Sequence, residues 1–245
     1  MPDKPKILGV IPARLASTRL PGKVLRTIAG VPMIEWVYRA ARACTQLDDV
    51  LIATDSEEIL ALAREHGWSA MLTSRNCVSG SDRVVQVSQR VQAEIYVNIQ
   101  GDEPMLRTEH IDALLRPFER QSVEVSTLST PCKPDEIKNP NTVKVVTAPD
   151  GRALYFSRAP IPFDRDRSDK SPCQKHLGIY AYRSTALELF SQLPPSPLEI
   201  IERLEQLRFL ENGIDIFVET TPYDTIGVDT EEDLRAVEAI LSLRQ

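Results

Sequence analysis

At 245 residues, with 42% hydrophobic and 26% charged residues, the chain is long enough to bury a substantial core and too apolar to be disordered. A formal net charge of −6 argues against nucleic acid or an anionic membrane as partner, since recognition of either needs a basic surface. The cysteines Cys44, Cys77, Cys132 and Cys173 lack metal-like spacing and read as free thiols; with no apolar core in MPDKPK for a signal peptide and no membrane-length apolar run, a cytoplasmic protein is expected.

Residues 7–11 (ILGVI) have the branched, bounded character of a central strand, which Pro12 is expected to stop. In the loop that follows, Ala13, Ala16, Ser17, Thr18 and Gly22 are small enough for backbone N–H groups to approach a polyanion, and Arg14, Arg19 and Lys23 supply positive charge. Neither G-x-x-x-x-G-K-[ST] nor G-x-G-x-x-G is present, so a phosphate cradle here relies on side-chain charge, and a solvated basic loop explains the composition equally well. Residues 32–43 read as a helix with proline in its first turn and Met33, Ile34, Val37 and Ala41 on one face. A second strand at 49–53 leads through Thr54, Asp55 and Ser56 into a helix at 57–65 that Gly67 ends. A third strand at 68–72, a helix at 81–91 and a fourth strand at 95–99 complete a strand–helix alternation that implies a parallel sheet with crossover helices. Ligands of such sheets collect at the carboxyl ends of the strands, so the loops after Ile11, Ala53, Leu72 and Ile99 should face one crevice.

Beyond about residue 122 the rhythm changes to short strand-like runs at 123–128, 143–147 and 153–156, the last two joined by Pro149, Asp150 and Gly151. Residues 131–175 read as a β-rich excursion from one domain of 1–245, suited to contact with a partner subunit. A strand at 175–182, a short helix at 185–192, an amphipathic helix at 197–212 closed by Gly213, a strand at 215–219 and a helix at 230–243 finish the chain.

Several residues could carry chemistry. Asp102, in QGDEP after the fourth strand, could hold Mg²⁺ together with substrate phosphates, or could belong to an ordinary turn. Asp229 precedes Thr230 at the head of the last helix, where capping alone explains it. The loop SGSDR (79–83) could meet a base edge or cap its helix. Strand alternation puts His176, Gly178 and Tyr180 on one face, where they would suit a hydroxyl-rich ligand. Glu205 and Gln206 read as the solvated side of their helix, and Arg158 as a carboxylate grip or a surface ion pair.

Taken together, IPARLASTRLPGK, NIQGDEP, LYFSRAPIP, KHLGIYAYR, LEQLR and VDTEEDL resemble the ordered motifs of the 3-deoxy-manno-octulosonate cytidylyltransferases (CMP-KDO synthetases) across about residues 6–240. The resemblance implies a Rossmann-like α/β nucleotide-diphospho-sugar transferase fold, with a mostly parallel sheet and a smaller β-rich dimerisation excursion. It implies that Ala13, Arg14, Arg19 and Lys23 meet the CTP phosphates and that Ser79, Gly80, Asp82 and Arg83 meet the nucleotide. Asp102 and Asp229 would bind Mg²⁺ and, with Arg14 and Lys23, serve catalysis, while Gln100, Arg158, His176, Tyr180, Glu205 and Gln206 would hold the sugar acid. The chain departs from the family pattern at Cys77, Ser81 and Gln86, in the segment nearest the nucleotide and sugar. The family is cytosolic and dimeric and feeds lipopolysaccharide assembly. The alternatives are a sialic acid cytidylyltransferase, another sugar nucleotidyltransferase, or a non-catalytic nucleotide-binding scaffold on the same fold.

Overall fold

The computed structural model describes residues 6–17, 19–166 and 172–243, so Thr18 of the basic loop, residues 167–171 of the excursion and the first five residues lie outside the described residues. The chain folds as two compact units, residues 1–112 with 225–245, and residues 113–224. The stretch 131–175 lies within the second. No helix among the described residues is long and apolar enough to cross a membrane.

In the first unit, β1 (Ile7–Ala13), β4 (Asp49–Thr54), β5 (Ala70–Leu72) and β6 (Ile95–Asn98) run parallel in the order β5-β4-β1-β6. β1 is paired on both sides and buries Val10 and Ile11 completely. Between β1 and β4 lie the two-residue strands β2 (Thr27–Ile28) and β3 (Val31–Pro32) and the helix α1 (Met33–Ala43). α1 buries Met33, Ile34, Val37, Tyr38 and Ala41, the positions its apolar spacing predicts, with Tyr38 added to the stripe. α2 (Glu57–Glu65) starts at Ser56, whose hydroxyl accepts from the Glu58 N–H at 3.2 Å, and its chain leaves through Gly67 at φ 66. α3 (Gly80–Ser88) begins and ends earlier than the spacing suggests, because Ser79 and Asp82 form a reciprocal capping box that fixes its start.

Pro12 does not end β1. The carbonyl of Val10 accepts from Ile99 N–H, so even-numbered residues of β1 turn their polar groups toward β6. By Pro12, β6 has already ended at Asn98, and the missing N–H falls on the side that has lost its neighbour. The chain leaving β6 instead passes Pro12 closely at Gly101, where an added Cβ would lie 2.8 Å from the Pro12 carbonyl oxygen.

Residues 225–245 return to this unit as α8 (Glu231–Leu241), capped by Thr230 and Asp233. Val228, Leu234, Val237 and Leu241 pack with Leu20, Ile28 and Met33 in one buried cluster. The tail is also stitched by its backbone, since Val228 N–H donates to the Asp102 carbonyl at 2.9 Å.

The second unit begins within α4 (Thr108–Leu115), a helix not among the expected elements, and contains β7 (Val125–Pro131), β8 (Lys144–Thr147), β9 (Ala153–Ser157), β10 (Gln174–Arg183) and β11 (Ile216–Thr220). β7 lies between β10, antiparallel, and β11, parallel; β8 pairs with the end of β10 and with β9. α5 (Ser184–Gln192) follows β10 as expected. The single helix expected at 197–212 is two, α6 (Pro197–Glu202) and α7 (Leu207–Glu211). Arg203 breaks it by taking the left-handed conformation at φ 52, so the residues after it no longer follow the helical phase of those before.

Replacing Gly101 by alanine should therefore destabilise the protein by about 2 kcal/mol, because two backbones must part to admit the methyl group. Urea denaturation of Gly101→Ala measures this, and an unchanged midpoint would contradict the close approach.

Candidate functional site

At the carboxyl ends of β1 and β6, where ligands of parallel sheets collect, a cleft encloses about 610 Å³ of space open to solvent. Arg14 and Lys23 line it from the loop after β1, Ser79, Gly80 and Arg83 from the start of α3, and Gln100 and Asp102 from the turn after β6. Ala13 is buried at the end of β1 and Arg14 is exposed, so the loop turns its charge outward at once. Among the residues predicted for nucleotide contact, Arg14, Lys23, Ser79, Gly80 and Arg83 are brought to one cleft.

Two residues of the lining, Lys23 and Asp102, belong to a cluster of charges. Lys23 Nζ donates to Asp102 Oδ2 at 2.5 Å and to Asp229 Oδ1 at 2.9 Å, with the Lys23 side chain only 12% exposed. Arg19 Nη2 reaches the other Asp229 oxygen at 2.8 Å. Burial works against the Lys23 charge, but the two carboxylates outweigh it and hold its pKa above the ordinary lysine value. Asp229 is not the helix cap: Thr230 and Asp233 fill that role, and the Asp229 side chain turns to the two cations.

Asp102 and Asp229 supply hard oxygen donors, and the described residues contain no group of three or more metal-binding side chains. Such a pair suits magnesium, which takes one or two carboxylates and completes its octahedron with water and phosphate oxygens. It does not suit a closed zinc cage.

The start of α3 serves architecture as well as the cleft. Asp82 Oδ2 accepts from the Val78 and Ser79 N–H groups at 2.9 and 3.1 Å, which commits this carboxylate to the cap and keeps it out of the cleft lining. Arg83, its side chain 4% exposed, donates to Asp55 Oδ2 at 2.7 Å and to Thr73 Oγ1 at 2.6 Å. Asp55 therefore orients a residue of the cleft. Its position just beyond β4, one of the strand ends expected to face the crevice, is the sequence signal that points to it.

The remaining predicted residues belong to the second unit, apart from Gln100, which bonds Asn98 Oδ1 at 3.1 Å beside the first unit's cleft. β10 carries two extra residues opposite β7 between Leu177 and Tyr180, an even number that leaves His176 and Tyr180 on one face, their rings 5.3 Å apart. His176 also meets the edge of Phe156 at 5.0 Å, and its Nε2 lies 3.0 Å from Thr127 Oγ1. Burial pushes its pKa down from 6.5 to about 3, so the ring is neutral. Tyr180 OH and Gln206 Nε2 are buried without a hydrogen-bond partner of good geometry. Gln206 is thus not on a solvated face: the break at Arg203 turns it inward, while Glu205 beside it stays half-buried. Arg158 grips backbone, donating to the carbonyls of Glu202, Pro140 and Arg203 at 2.8, 3.0 and 3.3 Å, and neither the carboxylate grip nor the surface ion pair is formed by these bonds.

The cytidylyltransferase family pattern matches residues 8–216. The 3-deoxy-manno-octulosonate cytidylyltransferase of Acidobacterium capsulatum is 65% identical over 239 residues, 98% of each chain. Its counterpart in Koribacter versatilis is 56% identical over 239 residues, 98% of this chain and 91% of its own. Among solved structures, that of CMP:2-keto-3-deoxy-manno-octonic acid synthetase complexed with CTP matches with a TM-score of 0.94 and 42% identity, covering 98% of this chain and 100% of the other.

Two outcomes follow from this geometry. Asp55→Ala leaves the buried Arg83 charge unpaired and should cost about 3 kcal/mol of stability in denaturant melts, while Asp55→Glu should recover part of it. Below pH 6.5 the unfolded chain binds a proton at His176 that the folded chain refuses until about pH 3, so this residue makes stability rise with pH across that window. Melts of His176→Gln and the parent at about pH 4 and about pH 7 should show the variant losing less stability toward acid.

Proposed function

The chain belongs to the 3-deoxy-manno-octulosonate cytidylyltransferases, and from that membership we propose that it transfers the CMP group of CTP to 3-deoxy-manno-octulosonate and releases pyrophosphate. The observation that carries this reading is the charge cluster in which Lys23 joins Asp102 to Asp229, in a cleft that Arg14 also lines. The anomeric hydroxyl of the sugar acid attacks the α-phosphorus of CTP, the bond to the β-phosphate oxygen breaks, and pyrophosphate leaves. No protein nucleophile is needed, since such transfers rest on alignment and on neutralising charge.

In this scheme Arg14, Arg19 and Lys23 bind the triphosphate and absorb the charge that develops on the leaving pyrophosphate. The Gly80 N–H and the hydroxyl proton of Ser79 are offered to the nucleotide at the head of α3, where the helix end favours acceptors. Magnesium, when bound by the Asp102 and Asp229 carboxylates, supplies further charge neutralisation and lowers the pKa of the attacking hydroxyl. In the second unit, the Tyr180 hydroxyl and the Gln206 Nε2, both buried without a hydrogen bond of good geometry, and neutral His176 beside Tyr180 support binding of a hydroxyl-rich sugar, because each buried polar group gains a better partner when the ligand arrives. Four free cysteines among the described residues support a reducing, cytoplasmic setting, and the exposed Leu154, Phe163, Ile200 and Ile201 of the second unit support association into a homodimer. The product would feed lipopolysaccharide assembly.

Incubation with CTP, Mg²⁺ and 3-deoxy-manno-octulosonate should release pyrophosphate, with an amino-substituted analogue and a sialic acid as competing acceptors. Asp102→Asn should lower turnover about a hundredfold or more, with only a modest loss of stability in the melt, because Lys23 keeps Asp229 as its partner. Pyrophosphate release with sialic acid alone would assign the chain a different acceptor, and none with any ulosonate would leave a nucleotide-binding scaffold.

A further inference from the structure

The same ammonium that holds the acidic pair also blocks it. Lys23 Nζ occupies one oxygen of Asp102 and one of Asp229, and Arg19 takes the second oxygen of Asp229. Two carboxylates and two cations cancel, so a divalent ion arriving alone meets a site already neutral. Leaving Lys23 and Arg19 in place, it would bring two uncompensated positive charges into a partly buried cleft; displacing Lys23, it would strand an ammonium that is 12% exposed. A nucleotide triphosphate changes this balance, because its phosphates accept the ammonium that the carboxylates give up. Lys23 can make the exchange on its own flexible stem, since it opens a short turn directly after Gly22 and lines the cleft.

We propose that Lys23 is an internal counter-cation that keeps Asp102 and Asp229 closed to divalent ions until a nucleotide triphosphate draws its ammonium away. Binding of the metal is thereby made conditional on binding of the nucleotide, in addition to whatever coupling the phosphates supply as direct ligands. The inference rests on the reading of the two carboxylates as the magnesium site.

The test is Mn²⁺ binding, read by the electron paramagnetic resonance signal of free Mn²⁺, with protein alone and no sugar present. Lys23→Met keeps the length of the stem and removes the charge; without CTP it should bind Mn²⁺ about tenfold more tightly than the parent protein, the size of an ordinary coupling between sites. Equal or weaker binding by a folded Lys23→Met, with Lys23→Gln as the second variant, overturns the gate. Asp102→Asn separates the two ideas: if it weakens Mn²⁺ binding in the Lys23→Met background, the metal reading stands and the gate is judged on its own, whereas no effect overturns both. The parent protein gives a check that needs no variant, since Mn²⁺ held as tightly without CTP as with it also overturns the proposal.

Discussion

An ion pair that spans the sequence organises the first unit. Lys23 stands in the loop after β1, Asp102 in the turn after β6 and Asp229 in the tail, and their meeting requires each of those backbones to be where it is. Gly101 brings the turn after β6 against the Pro12 carbonyl with no room for a side chain. The bond from Val228 N–H to the Asp102 carbonyl ties the tail to that turn, and the buried cluster beneath α8 anchors it. Like charges brought this close would repel; the lysine between them turns a repulsion into a fastening.

Much of this was legible in the residues because local rules and the fold agreed. The strand–helix alternation, the apolar stripe of α1 and the Ser56 cap need only neighbours in sequence, and each appears where those rules put it. Pro12 was misread because a proline's effect on a strand depends on which neighbour its missing N–H faces, and that is a property of the sheet. The long helix at 197–212 failed for a comparable reason: Leu204 and Leu207 satisfy a helical stripe, yet Arg203 takes a conformation that no composition rule assigns to arginine. α4 was passed over although Ile111, Leu114 and Leu115 lie at helical spacing and are buried, a stripe as legible as that of α5.

The candidate site divides along the same line. That Asp102 and the basic loop should share a crevice followed from the strand–helix alternation, since both lie at carboxyl ends of parallel strands. Asp229 carried no such signal, because its sequence context is fully explained by capping, and only the resemblance singled it out. Asp55 and Thr127 act through partners, one holding Arg83 and the other beside His176, and a residue that works through another has no motif of its own. The second unit shows the reverse case: Arg158 looks from its sequence like a hand for a ligand, but it donates to the carbonyls of Glu202 and Arg203 at the helix break and to that of Pro140.

The second unit is inserted between two parts of the first, and this governs how the protein can be born. A chain growing on the ribosome has made β1, β6 and Lys23 long before the tail emerges, so its lysine faces one acid while more than half of the polypeptide is still to come. Residues 113–224 can fold in that interval, and only afterwards can the last stretch return to close the first unit. The cluster of Lys23 and its two acids is thus incomplete in every nascent chain until synthesis is nearly over, and a prematurely stopped product would carry the cleft without Asp229.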